Sequence, residues 1–497
     1  MSQRNFDKLF LDGRWADPVG ADTISVVSPY SEEQIARVPA ASTVDIDKAV
    51  AAARTAFDHG PWPRMALEDR IEILGRVSAA MLRAEEDLAA LVTAEMGCPI
   101  TLSRVMQSRN PRILFDNFLE LAPEVEWSAL RRSSSGQALV TREAIGVVAA
   151  ITPWNAPLLT IVIKLAPALL SGCTMVIKPS PEAPLSSYLF AELLEEAELP
   201  AGVVNILPAG REVGEHLVRH ADVDKVAFTG STLAGQSIAS ACGQDLRRVT
   251  LELGGKSAAV ILDDADLDLV IENVKALSLR NSGQTCSNKT RLLVPETRDS
   301  ELKDRLVEMI EAIPVGDPGD PETEIGPLVT ERQRERVEQY IACGREEGAT
   351  VLVGGGRPAD LQHGWFVEPT IFTGVTPVMR IAQEEIFGPV LSVMTYENEG
   401  DAIAVANSTN YGLSGSVFAA DDERALAFSR HMRTGAVEVN GEPVGWHAPV
   451  GGFKRSGIGR EAGLEGFDEY VEMKSYGLTT TLADAFEKER SIYGRGS

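Results

Sequence analysis

A chain of 497 residues, 44% hydrophobic and 24% charged, has the balance of a globular protein and is too long for one core; at roughly 150 residues per domain it divides into about three units. Its net charge of −25, with no block of Lys and Arg, excludes nucleic acid and anionic membrane as partners. It does not exclude a nucleotide, because backbone amides at a helix N-terminus attract phosphate whatever the overall charge.

The N-terminus, MSQRNFDKLFLDGRW, lacks the features of a signal peptide, and the longest apolar stretch, 158–170, is interrupted by Lys164 and Pro167 and too short to span a bilayer. Cys98, Cys173, Cys242, Cys286 and Cys343 are widely spaced, with no C-x-x-C pair and only six scattered histidines. That is neither a disulfide framework nor a metal site, and a reducing cytoplasm is the expected location.

Taken in chain order, the first hundred residues read as helices, with Ser42 or Thr43 as an N-cap before Ile46, Val50, Ala53 and Phe57 on one face. From about residue 135 short β-branched runs alternate with amphipathic helices, the pattern of a parallel sheet with crossovers. The expected strands are 145–151, 174–178, 203–207, 225–228 and 249–253, with helices over 157–170, 186–197, 212–219 and 233–241. A second α/β series follows Cys286, with helices over 299–312 and 330–346 and further strands near 389–395 and 436–439. Pro and Gly clusters at 314–321 and 441–452 mark loops. The apolar, Thr-rich stretch 470–482 belongs to no βαβ unit and is expected to be an edge strand that pairs with another subunit.

Ligands of parallel sheets bind at the carboxyl ends of the strands. After the strand at 225–228 comes Thr229-Gly230-Ser231-Thr232-Leu233-Ala234-Gly235, a small-residue turn opening a helix, where phosphate can approach backbone amides. Alone, such a turn is as often a plain connector, and it departs from the G-x-G-x-x-G dinucleotide fingerprint. Glu252 stands inside an apolar strand and is followed by Leu253 and a Gly-Gly turn. A buried carboxylate has a raised pKa and can act as a base near neutrality, although a lone strand Glu is more often ion-paired or at an edge. Cys286 stands in a polar stretch, 279–290. A lone Cys is usually a small buried hydrophobe, so its surroundings must decide.

Together these segments resemble the aldehyde dehydrogenase superfamily. The match to its glutamate signature covers 251–258 and to its cysteine signature 279–290, with Glu252 and Cys286 34 residues apart. It extends over Thr152-Pro153-Trp154-Asn155-Ala156-Pro157, Lys178-Pro179-Ser180, Phe228-Thr229-Gly230, Glu384-Glu385-Ile386-Phe387-Gly388-Pro389, Asn410-Tyr411-Gly412-Leu413 and the run 451–457, nearly the whole chain. The resemblance implies an NAD(P)-dependent oxidation of an aldehyde to a carboxylic acid. Cys286 is then the nucleophile, forming a thiohemiacetal and a thioester; Asn155 and the Cys286 amide form an oxyanion hole; Glu252 activates the hydrolytic water. It also implies a cofactor site made of Thr152, Pro153, Trp154, Lys178, Ser180, Gly210, Gly214, Gly230, Ser231, Gly235, Leu253, Glu385 and Phe387, and no metal.

The implied fold is α/β: a Rossmann-like cofactor domain over 1–123 and 143–251, an oligomerisation hairpin over 124–142, a catalytic domain over 252–456 and a C-terminal return and oligomerisation strand over 457–497. A homotetramer or homodimer follows from that strand. Two departures matter. Where many NAD-preferring relatives place a Glu three residues after the lysine, this chain has Pro181, with Glu182 one further on. NAD is the expected cofactor, while Ser180 and Arg211 keep NADP open. After Asn155, where some relatives carry an aromatic residue, stands Ala156. Glu252 speaks for the hydrolytic reaction over a CoA-acylating one, and Cys286, Glu252 and Asn155 together speak against a non-catalytic binding protein. The aldehyde itself is left open.

Overall fold

The computed structural model describes residues 4–493. Five of its strands form the parallel centre of an eight-stranded sheet, in the spatial order Arg248–Glu252, Lys225–Thr229, Val147–Ile151, Thr174–Lys178, Val204–Ile206. Antiparallel strands close its margins, Gly457–Ile458 on one side and Leu9–Leu11 with Arg14–Ala16 on the other. The crossovers are the helices Pro157–Leu170, Leu185–Glu196, Arg211–Arg219 and Thr232–Gln244. The central strands are covered on both faces, so Val147, Val148, Ala149 and Ala150 are all buried and the run is apolar without alternation. From Val147–Ile151 the chain first builds outward on one side, then returns to the other with Lys225–Thr229. The order of strands reverses between those two, and the crevice beyond their carboxyl ends is the ligand-binding place of such a sheet.

After Glu252 the chain leaves this sheet and enters a second one at Ala258–Ile261. The second sheet has seven strands in the order Thr350–Val353, Thr370–Thr373, Val390–Tyr396, Arg291–Pro295, Ala258–Ile261, Gly415–Phe418, Glu438–Val439, and only Thr350–Val353 is antiparallel to its neighbour. A third sheet joins the hairpin Ser128–Ser133 and Gly136–Ala144 to Val471–Leu478.

Two expectations are corrected. The first hundred residues are not all helical: Arg4–Asn5, Leu9–Leu11, Arg14–Ala16, Thr23–Val27 and Gln34–Pro39 are strands. Strands of two to six residues are too short to display a period, and their pairing is decided by partners far along the chain. The helix that follows, Thr43–Asp58, is capped as its sequence dictates, by a reciprocal pair in which Asp45 N–H donates to Ser42 Oγ and Ser42 N–H to the Asp45 carboxylate. The second correction concerns 470–482. The strand ends at Leu478, a helix Thr480–Tyr493 follows, and the strand is paired with the hairpin of its own chain. Arg132 ties that helix to the hairpin through Asp484 at 2.7 Å and Glu487 at 2.8 Å. The strand's other edge stays open, with Met473 56% and Tyr476 38% exposed.

Candidate active site

The loop after Val147–Ile151 carries Thr152, Pro153, Trp154 and Asn155 into the crevice. Asn155 is buried, and its side chain is fixed by an Nδ2–H donated to the Gln284 carbonyl at 2.9 Å. Its own carbonyl accepts from Gln107 Nε2 at 2.9 Å and Asn281 Nδ2 at 3.2 Å. An amide nitrogen has two hydrogens. With one on Gln284, the second makes no hydrogen bond among the described residues.

That loop is folded in a conformation few residues adopt. Asn281, Ser282 and Gly283 have φ of 56°, 55° and 78°, three left-handed residues in a row, an arrangement that persists only where the surroundings over-determine it. Here they do. Ser282 Oγ donates to the Gly326 carbonyl at 2.9 Å, and Gln284 Oε1 accepts from Val329 N–H at 3.0 Å. At Gly283 a Cβ would stand 2.0 Å from the Gly388 carbonyl oxygen, so no other residue lets the loop lie on the Glu385–Pro389 turn. Cys286 is held at the end of this loop with its carbonyl against Gly255. Burial pushes its thiol up to about 12, the charges of Glu385 and Glu252 add to the rise, and the backbone N–H groups of Cys286 and Ser287 oppose it.

Glu252 ends its strand, paired with Thr229 on one side and Gly457 on the other. Its carboxyl is buried and Oε1 has no hydrogen-bond partner. Burial first, and then the charge of Glu461, raise its pKa well above the ordinary carboxylate range, while Lys164 and Arg460 act against the rise. Lys164 Nζ donates to Glu461 Oε1 at 2.7 Å and to Thr229 Oγ1 at 2.6 Å, and both members of this ion pair are buried. Sequence reasoning missed Glu461: it lies 297 residues from Lys164, and the one local signal of the pair is Lys164 itself, a charge inside an apolar helix.

The remaining expected residues gather on the same crevice. Ser231 caps the helix Thr232–Gln244, its hydroxyl accepting from Ala234 N–H, so a helix N-terminus opens there. Gly230 N–H donates to the Glu252 carbonyl at 3.0 Å, and Gly235 is packed so closely on Leu253 that a Cβ would come within 2.5 Å of its side chain. Lys178 is buried, with Nζ donating to the carbonyls of Ala209 at 2.8 Å and Pro179 at 3.1 Å; burial lowers its ammonium to about 8. Gly214 leaves room for its stem, a Cβ there lying 3.2 Å from Lys178 Cδ and Cε, and Gly210 caps the helix that holds Gly214. Ser180 Oγ donates to Glu182, whose other oxygen faces Arg332 at 3.5 Å. On the opposite wall Glu385 accepts from Gly255 N–H at 2.9 Å, and Phe387, left-handed at φ 64°, meets the Trp154 ring edge-on at 5.4 Å. The buried hydroxyl of Thr152 is without a partner here. A helix N-terminus, a buried ammonium beside a carboxylate, an unused hydroxyl and a second carboxylate fit an anionic group that also carries ribose hydroxyls.

A doubly wound sheet whose crevice gathers a buried carboxylate, a cysteine loop and a helix N-terminus has the architecture of an α/β nucleotide-dependent enzyme. The family model described as the aldehyde dehydrogenase family matches residues 15–476, and the chain belongs to that family: it oxidises an aldehyde to a carboxylic acid. It is 43% identical over 468 residues to geranial dehydrogenase of Castellaniella defragrans, covering 94% of this chain and 98% of that one. It is 42% identical to the 3-succinoylsemialdehyde-pyridine dehydrogenase of a Pseudomonas species, over 95% of this chain and 98% of that one. Among solved structures it resembles a Mycobacterium tuberculosis aldehyde dehydrogenase complexed with NAD+, with a TM-score of 0.95, 43% identity and coverage of 96% and 99%. It also resembles a mutant aldehyde dehydrogenase C of Pseudomonas syringae complexed with NAD+ and octanal, with a TM-score of 0.90, 39% identity and coverage of 95% and 96%.

Proposed function

We propose that the enzyme is an NAD-dependent, hydrolytic aldehyde dehydrogenase in which Cys286, Glu252 and Asn155 carry the chemistry. The observation that carries this reading is the buried, half-unpartnered Glu252 carboxyl in the same crevice as Cys286. The Cys286 thiol loses its proton to solvent water as its sulfur adds to the aldehyde carbon, and the resulting oxyanion is met by the second Asn155 Nδ2–H and the Cys286 amide. NAD supplies the hydride acceptor. A thioester is left on Cys286; Glu252 takes a proton from water, which attacks the thioester carbonyl and releases the carboxylic acid and the thiol. Lys178, Ser180, Gly210, Gly214, Gly230, Ser231, Gly235 and Leu253 hold the adenosine and pyrophosphate side of the cofactor, and Glu385, Phe387, Thr152, Pro153 and Trp154 its nicotinamide side.

Glu182 supports NAD over NADP. Its carboxylate is oriented by Ser180 and close enough to Lys178 to raise that ammonium, so it accepts from a ribose hydroxyl and repels a phosphate there. The substrate class is an uncharged, medium to bulky aldehyde. Ala156, Leu159, Thr160 and Ile163 fall on one face by helical spacing at the start of the helix Pro157–Leu170, the face this reading gives to the substrate, and the cation that follows, Lys164, is occupied by Glu461. Division into a cofactor unit, a catalytic unit from Glu252 and a β oligomerisation unit, assembly as a homotetramer or homodimer through the open edge of Val471–Leu478, and a cytoplasmic location complete the reading. The purified protein is tested with octanal, geranial, benzaldehyde and succinate semialdehyde, with NAD or NADP and with or without CoA. NADH formation independent of CoA, fastest with the uncharged aldehydes, is expected. A CoA requirement, a higher kcat/KM with NADP, or succinate semialdehyde as best substrate overturns the corresponding element.

A further inference from the structure

Five lysines are buried among the described residues, and a buried ammonium is stable only with a partner. Lys164, Lys225 and Lys289 meet Glu461, Glu469 and Glu438 at 2.7, 3.0 and 2.7 Å. Lys178 donates to two carbonyls. Lys256 differs: it is 2% exposed and its Nζ has no hydrogen-bond partner. Glu385 and Glu384 act on it only from beyond hydrogen-bond reach, and the neighbouring Arg291 opposes its charge.

Lys256 lines a small cleft with Ser257, Arg291, Arg433 and Thr434. Ser257 Oγ and Thr434 Oγ1 are likewise buried without partners, so three of the residues that line this cleft carry an unused polar atom. No acidic side chain lines it. Arg291 is buried there too, its N–H groups donated to the carbonyls of Lys256, Val405 and Ala406 rather than to a carboxylate. Lys454 adds further positive charge, lowered in pKa by Arg291 and Arg433 after burial. The cavity volume of about 10 Å³ suits one water-sized body, for which roughly 10–15 Å³ is needed on this measure; phosphate and carboxylates are too large. A water would use the hydroxyls, but burial lowers the Lys256 ammonium to about 7, and only an anion beside it would hold its charge. A monatomic anion answers both.

We propose that this cleft binds a single halide ion, chloride under ordinary conditions, through Lys256, Ser257 and Thr434, with exposed Arg433 at its mouth. Lys256 follows directly on the turn Gly254-Gly255, whose second amide holds Glu385 and whose backbone abuts Cys286, so an ion held by Lys256 adjoins that turn.

The probe is bromide, followed by anomalous diffraction of crystals of the full chain grown in sodium bromide and by melting curves in solution at fixed ionic strength, sodium methanesulfonate being exchanged for chloride or bromide. The expected result is an anomalous peak in contact with Lys256 and Thr434, and a saturable rise in Tm with either halide. Both are lost in Lys256→Met. Since that variant can fold poorly, Thr434→Val and Arg433→Gln serve as milder ones, each weakening the halide effect on Tm. Density without anomalous signal, that is, water, overturns the proposal. So does an adventitious ion only, seen as a bromide peak at crystal concentration with no saturable effect on Tm, and so does a halide effect that survives all three substitutions.

Discussion

The two carboxylates that bear on Cys286 are held in opposite ways. Glu385 rises to about 7 through burial, but one of its oxygens is fixed by Gly255 N–H at 2.9 Å. Glu252 is also raised by burial, yet its Oε1 has no partner and the strongest charge effect on it comes from another acid, Glu461, itself engaged by Lys164. A carboxylate anchored by an amide is a directed acceptor, suited to holding hydroxyls. One that is desolvated, beside a like charge and lacking a donor on one oxygen, is a base. The charges of both act on Cys286; their hydrogen-bond partners are what distinguish them.

The comparison is broken most severely through the group both acids act on. Cys286→Ala is expected to abolish NADH formation from any aldehyde while cofactor binding, followed by fluorescence titration, persists; measurable turnover would remove Cys286 from the chemistry. Glu252→Gln is expected to lower steady-state turnover by roughly 100- to 10,000-fold, the usual worth of a general base. A burst of about one NADH per site should remain, with the acyl group found on Cys286 by mass spectrometry. Absence of both burst and acyl-enzyme in a folded, cofactor-binding variant would show that Glu252 is also needed to deprotonate the thiol. Glu385→Gln should act on cofactor affinity instead. Loss of charge-assisted hydrogen bonds worth about 1.5–3 kcal/mol predicts a weakening of roughly 10- to 150-fold, read as the Kd for NAD, and an unchanged Kd would contradict the role given to Glu385.

The smallest effect sharpens the contrast. In the proposed mechanism Glu252 works deprotonated, so turnover is expected to rise as pH passes upward through its pKa. Glu461 raises that pKa and Lys164 lowers it. Glu461→Gln removes the like charge and frees Lys164, both in the same direction, so the acid limb of the kcat–pH profile should move to lower pH. An upward move would mean that Glu461 acts on Glu252 in some other way than by its charge.

The sequence by itself determined the elements with a long or repeated signal. The helices over 157–170 and 299–312 and the strand over 174–178 fall where the structure has them, and the strand expected at 249–253 falls within one residue of Arg248–Glu252, because each is specified by its own periodicity, caps and flanking turns. The signatures around Glu252 and Cys286 were likewise legible, since their residue types and order are local. The five short N-terminal strands, and Ala258–Ile261, Thr370–Thr373 and Gly415–Phe418 of the second sheet, were not: a run of four residues is a strand only because its neighbours in space make it one. The same reason governs the site. That Asn155 is anchored on Gln284, that Gly283 lies on Gly388, and that a lysine and an acid 297 residues apart stand behind the base follow from which strand ends the topology brings together. Only the tertiary structure decided these, because desolvation and charge coupling depend on distance in space and leave no trace in spacing along the chain.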